Sequence, residues 1–157
     1  MTTRSRTKFS VKRRDQRKGT AAVEFAVIAP MLILMVMGAI DVGQSVNVAQ
    51  VVNDASREGA RQASRIDSMQ AQEVEWAVQD YMADAFPSIP TTVLNAALTV
   101  NVVNAGSGIP GGDMATIDSG SPVTVQVILQ YDAVRWMVGI PGFNGVSIET
   151  STVMRRE

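Results

Sequence analysis

No residue from Phe25 to Ile40 is charged, and a helix begun at Thr20 would run 21 apolar-dominated residues to Ile40. At the helical rise this is about 31 Å, enough to cross the hydrocarbon core of a bilayer. The flanks decide between a membrane span and a buried core helix. Of the 14 Lys and Arg residues, eight precede Gly19: Arg4, Arg6, Lys8, Lys12, Arg13, Arg14, Arg17 and Lys18, against Asp15 alone. The leader therefore carries +7, while the rest of the chain, with six basic and fourteen acidic residues, carries -8. A basic arm directly abutting an apolar span is the positive-inside pattern of a segment held on the cytoplasmic side, and we read it as membrane-facing and not as a nucleic-acid tail. A secretory signal fits less well, because Val36 and Gly38 before Ala39 make a poor small-residue cleavage site. Arg13-Arg14 is followed by polar Asp15-Gln16-Arg17, which speaks against a twin-arginine signal.

Two absences narrow the chemistry. The 157-residue chain has neither cysteine nor histidine. Disulfides, thiolate metal sites, thiol nucleophiles and Ser-His pairs are excluded together, so the expectation is a protein that is not an enzyme and needs no cofactor.

Glu24 sits at the head of the apolar run. A carboxylate well inside hydrocarbon costs a few kcal/mol unless a partner neutralises it, so an acid placed here calls for a named partner. At headgroup level it would instead favour the positive helix N-terminus. Its surroundings are specific: a basic run, Gly19, four small or apolar residues, Glu24, aromatic Phe25, then the apolar helix. This order resembles the processing site of type IV prepilin-like proteins. The longer stretch GTAAVEFAVIAPMLILMVMGAIDVGQSVNVAQVVNDASREGARQAS, Gly19 to Ser64, resembles the TadE-like family, the minor pseudopilins of tight-adherence (Tad) pilus systems. Two blocks carry the likeness, G-x-A-A-V-E-F-A-x-x-x-P and the A-x-R-E-G-A-R block formed by Ala55, Arg57, Glu58, Gly59, Ala60 and Arg61. The ending TVMRRE is also similar. The resemblance implies a prepilin peptidase that cuts after Gly19 and leaves Thr20 as the new N-terminus. It further implies other pilin-like subunits as partners, with Glu24 meeting a neighbour's freed amine. The family's common Glu-Tyr pair is Glu24-Phe25 here.

Pro30 cannot donate a backbone hydrogen bond, so a kink or loosened turn is expected at that point of the span. Beyond the span Val48, Val52, Ala55, Gly59, Ala63 and Ile66 recur at helical spacing and predict a small, apolar face. Asn53, Asp54, Arg57, Glu58, Arg61 and Arg65 form the opposite face, with Asp54-Arg57 and Glu58-Arg61 pairing at i, i+3. Asp67-Ser68 offers a cap for a second amphipathic helix bearing Val74, Ala77, Val78, Tyr81, Met82, Ala85 and Phe86, which Pro87 stops. After Pro87-Ser88-Ile89-Pro90, three β-branched stretches predict strands at 91–103, 123–131 and 146–153. The Gly/Ser/Pro-rich stretch 104–122 reads as a long exposed loop whose Asp113 and Asp118 do not have calcium-loop spacing. In the second turn-rich loop, Arg135 to Gly145, Trp136, Met137 and Phe143 are read as buried more readily than as a contact surface.

The expected fold is α+β: a long N-terminal transmembrane helix continuing into an external stalk, then a second amphipathic helix packed on a small antiparallel sheet of about three strands. The expected parts are a basic cytoplasmic leader over 1–19, a transmembrane helix over 20–40, an external helical stalk over 41–66 and a small α+β domain over 67–157, this last able to fold alone from about Ser68. The expected protein is a single-pass component of the bacterial cytoplasmic (inner) membrane, its C-terminal domain external or periplasmic, acting as a structural pseudopilin-like subunit of a Tad-type pilus assembly or secretion apparatus. An uncleaved, membrane-anchored envelope binding module is the competing reading.

Overall fold

The structure, a computed structural model, describes residues 14–157 apart from 66, 68, 69, 105, 110, 111 and 136–144, and for 14–18 the backbone alone. Chain contacts divide it into two compact units, Met1–Ile40 and Asp41–Glu157.

The first unit is described from Arg14 and consists of the opening of helix α1 (Arg14–Ser64). The helix begins six residues before the expected Thr20 and continues through Pro30. Arg, Gln and Lys are good helix formers, so nothing in residues 14–18 stops an earlier start. No residue of the most apolar 18-residue window of this helix is buried within the chain. Val27, Met31, Leu34 and Met35 are all more than 65 % exposed. An apolar helix with no protein against it meets the requirement of a single-pass membrane anchor.

The second unit contains the remainder of α1, helix α2 (Ala71–Ala85), helix α3 (Thr91–Ala97) and four strands: β1 (Leu98–Asn104), β2 (Ser107–Gly108), β3 (Pro122–Gln130) and β4 (Ser147–Arg155). The sheet is antiparallel in the order β2-β1-β3-β4. Alternation along β3 sets its register. Val123, Val125, Val127 and Leu129 are fully buried, and they lie opposite Asn104, Val102, Val100 and Leu98 of β1 and Met154, Thr152, Thr150 and Ile148 of β4. A slip of one residue would turn this apolar row to solvent. The helices cover the same face. Val48, Val52, Ala55, Ala60 and Ala63 of α1, Val74, Val78 and Met82 of α2, and Leu94 of α3 complete one core with the β3 residues.

Four expectations change. Residues 91–97, read as the start of a strand, form α3 instead. The Pro90 carbonyl accepts from the amides of Val93 and Leu94 at 3.0 and 3.1 Å, which closes a first turn. Leu94 then supplies the single buried contact that offsets the β preference of Thr91, Thr92 and Val93. The sheet gains a fourth strand, because Gly106, at φ +83°, lets residues 107–108 fold back on Val103 and Asn104. The 104–122 stretch is also tied down. Asp113 caps a single 3-10 turn, Met114–Thr116, by accepting from the Ala115 amide at 2.9 Å, and Met114 and Ile117 are buried beneath it. Helix α2 starts at Ala71 after Gln70, which makes no side-chain cap, and Asp67 pairs with Arg65 at 3.1 Å. Ile66 and Ser68 lie outside the described residues.

The chain end is held on the last turn of α1. The Glu157 amide donates to the Ser64 carbonyl at 2.8 Å, and the buried Arg156 guanidinium donates to the Ala63 carbonyl at 3.4 Å. These bonds serve carbonyls that a helix end leaves open, with a cation at the negative end of the helix dipole.

The expectation that residues from Ser68 onward fold alone is at odds with this core, since five of its buried apolar residues, all on α1, precede them. A fragment of residues 41–157 should show a cooperative thermal transition by circular dichroism. A fragment of residues 68–157 should show none.

Candidate functional site

The residues singled out around Gly19 all lie on α1, inside a continuous helix and not at its start. Thr20, Glu24 and Phe25 are exposed, Phe25 by 68 %. A side chain added at Gly19 would meet nothing within 4 Å. Glycine here is therefore not demanded by packing. It weakens the helix locally by about 1 kcal/mol relative to alanine, which eases opening of this turn. Among the described residues Glu24 makes no ion pair, and its carboxylate and the ring of Phe25 are both available to an outside partner.

The A-x-R-E-G-A-R block splits into two faces with different work. Ala55, Gly59 and Ala60 are buried, together with Ser56. A Cβ at Gly59 would fall 2.6 Å from Val78 Cγ2 and 3.2 Å from Val125 Cγ1. At Gly59 the backbone of α1 thus approaches both α2 and β3 as closely as only glycine permits. Ser56 Oγ donates to the Val125 carbonyl at 3.1 Å and lies 2.9 Å from Thr152 Oγ1, which joins the helix to the two strands at its back. Arg57, Glu58 and Arg61 face outward. The expected Asp54-Arg57 and Glu58-Arg61 pairs form at 3.6 and 3.5 Å with all four side chains at least 40 % exposed. Pairs so open to solvent contribute about 0.5 kcal/mol or less.

A third cluster escaped the sequence reading. Asp41, the first residue of the folded unit, accepts two hydrogen bonds from Arg135, Nε to Oδ1 and Nη2 to Oδ2, each at 2.9 Å, and both side chains are 2 % exposed. The Tyr131 hydroxyl donates to the Asp41 main-chain carbonyl at 3.1 Å, with Oδ1 at 3.3 Å. The Arg135 guanidinium carbon stands 6.0 Å from the Tyr131 ring centroid. Burial first, and then the Asp41 charge and the hydrogen bond to Asp41, raise the Tyr131 pKa above that of an ordinary phenol. The hydroxyl stays neutral and donating throughout the physiological range. Gln44, one turn further along α1, donates to the Val134 carbonyl at 3.1 Å. A two-pronged buried ion pair is specific in geometry, and such a pair fixes one arrangement of α1 against the end of β3. One sequence signal was available: Arg135 is the sole basic residue between Arg65 and Arg155. Trp136, Met137 and Phe143, which follow it, lie outside the described residues.

Among the described residues no group of three or more His, Cys, Asp or Glu side chains is placed to hold a metal ion. What the second unit offers is a scaffold: an ion-paired helix face, a sheet with one open face, and a tie at the point where the anchor helix enters the fold.

Residues 19–61 match the family described as TadE-like protein, a span that includes Gly19, Glu24, Pro30, Asp41 and the whole A-x-R-E-G-A-R block. No curated protein and no solved structure matches the chain.

Proposed function

From the TadE-like identity of residues 19–61, we propose that this Tad pilus-associated, membrane-anchored protein is a pseudopilin-like structural subunit, cut by a prepilin peptidase after Gly19. The observation that carries the reading is the spacing of Gly19, Glu24 and Phe25 at the head of an apolar helix that the protein itself leaves uncovered. The +7 leader stays cytoplasmic and the unit from Asp41 onward is external, as the charge bias across one span requires. Cleavage converts Thr20 into a free amine about one helical turn from Glu24. A neighbouring subunit staggered by one turn brings its own amine to the same carboxylate. In surroundings of low dielectric the opposite charge stabilises ionised Glu24, which alone would be costly there. The exposed Arg57, Glu58 and Arg61 face is open to further subunits.

Intact mass of the membrane-extracted protein should correspond to a chain starting at Thr20, and replacement of Gly19 by a bulky residue should leave the full-length mass. Glu24→Gln should still insert and be cut, while its co-purification with other pilin-like subunits falls. A full-length mass for the natural sequence would favour an uncleaved envelope binding module, and normal assembly of Glu24→Gln would leave Glu24 with only an interfacial role.

A further inference from the structure

Helix α2 buries Val74, Val78 and Met82 and turns its opposite face to solvent. That face carries Trp76, 55 % exposed, with exposed Asp80 and Asp84 at the next steps of four. Neither aspartate has a partner among the described residues. The whole helix holds four acids, Glu73, Glu75, Asp80 and Asp84, and no base. Helix α1 carries the complement. Opposite buried Ala55 and Gly59, the exposed Arg57 and Arg61 stand four residues apart, and Arg65 follows at the same interval. Their pairs to Asp54 and Glu58, at 3.6 and 3.5 Å, are loose enough for each guanidinium to turn to a second acid. The two helices run in opposite senses: Gly59 of α1 lies against Val74 and Val78, while Gln44 lines one cavity with Ala85 and Phe86. Both stripes point away from the sheet that the helices cover.

We propose that this α1–α2 face binds the same face of a second copy of the chain, related by a two-fold axis parallel to α1. Membrane anchoring selects the axis. Both copies enter the same membrane, so the segment of α1 from Asp41 to Ser64 has to run the same way in each, and only a two-fold parallel to it preserves that direction. The rotation sets α1 of each copy over α2 of the other, antiparallel, and brings basic stripe to acidic stripe twice. It also fixes the register, because turning about an axis parallel to α1 shifts nothing along it. Residues therefore meet those at their own level. Gly59 is level with the stretch between Val74 and Val78, so Arg57 faces Asp80 of the second copy and Arg61 faces its Trp76. The first contact is an ion pair, the second a cation over an indole face. The dimer is closed, since both copies use the same patch. Its contacts are polar and modest, so it is populated where a bilayer concentrates the chains, and dilute protein in micelles stays monomeric. The proposal rests on membrane anchoring alone, and not on cleavage or on the pilus reading.

The natural chain has no cysteine, so introduced ones report without background. By the same levels Ser64, whose hydroxyl bonds only within its own turn, comes opposite Gln72. Full-length Ser64→Cys and Gln72→Cys chains, reconstituted together in lipid vesicles and treated with a short bis-maleimide, should couple into a dimer. Ser64→Cys with Thr124→Cys, on the open face of the sheet, should not. Asp80→Arg added to both coupling chains sets Arg against Arg twice and should lower the yield about tenfold. Arg57→Glu added to those same chains restores opposite charges at both positions and should recover it. Circular dichroism unchanged from the natural protein would confirm that the variants fold. Absence of coupling between Ser64→Cys and Gln72→Cys, equal coupling of the Thr124→Cys control, indifference to Asp80→Arg, or no recovery with Arg57→Glu would each overturn the proposal.

Discussion

Replacing Gly59 by leucine should abolish folding of the second unit, and even Gly59→Ala should lose about 1–2 kcal/mol in denaturant unfolding followed by circular dichroism. Alanine gains close to 1 kcal/mol over glycine in helix propensity, but its methyl group would sit 2.6 Å from Val78 Cγ2. Val78 is fully buried, and its β-branched side chain has little rotamer freedom within a helix, so it cannot swing aside. Overpacking of this kind costs about 1–3 kcal/mol for a methyl and more for a larger group. Val78→Ala should rescue Gly59→Ala in large part, a coupling that a double-mutant cycle measures directly. Arg57→Ala and Arg61→Ala, three or fewer residues away, should move stability by no more than about 0.5 kcal/mol, because their ion pairs are open to water. If Gly59→Ala is neutral, α1 has room to move at this contact and the close approach is not a requirement of the fold.

Asp41→Asn should cost about 3–5 kcal/mol, the loss expected when one member of a buried ion pair is neutralised and its partner stays buried. Arg135→Met alone should cost a similar amount, since it strands the Asp41 carboxylate at 2 % exposure. The combined Asp41→Leu, Arg135→Met chain should recover most of the loss, because two apolar groups need no counter-charge. Urea unfolding of the full chain in micelles, with the β signal as readout, distinguishes these outcomes. Equal stability of the single and double variants would mean that the pair is relaxed by water and contributes no specificity.

Much of this fold is written in local pattern. The alternation of Val123, Val125, Val127 and Leu129 specifies the central strand, and Val48, Val52, Ala55 and Ala63 specify a helix face, because in each case the period of burial equals the period of the backbone. Helix α3 was illegible for the opposite reason. Thr91, Thr92 and Val93 prefer extended backbone, and only the placement of Leu94 in the core, a tertiary fact, decides for the helix. The Asp41-Arg135 pair joins residues 94 positions apart, a separation at which no periodicity operates. Its trace was a lone cation in a long acidic stretch, which says that a partner is needed without saying which. Gly59 could be read as belonging to a family block, but its reason, the nearness of Val78 and Val125, required the packed helices and sheet. Glu24 and Phe25, expected at a processing site, were read from their spacing after Gly19, and the structure adds only that their side chains are exposed.

The tie at Asp41 also defines a path for mechanical force. A pull delivered at Asp41 passes through two charge-assisted hydrogen bonds to Arg135, and through the Tyr131 hydroxyl to the residue that directly follows β3. Tension therefore enters the sheet at the end of its central strand, lengthwise, where the ladders to β1 and β4 share the load over many rungs. An edge strand pulled sideways would instead break its rungs singly, in succession. By this route the second unit would keep its fold under a strain that would peel open a domain tethered at its margin.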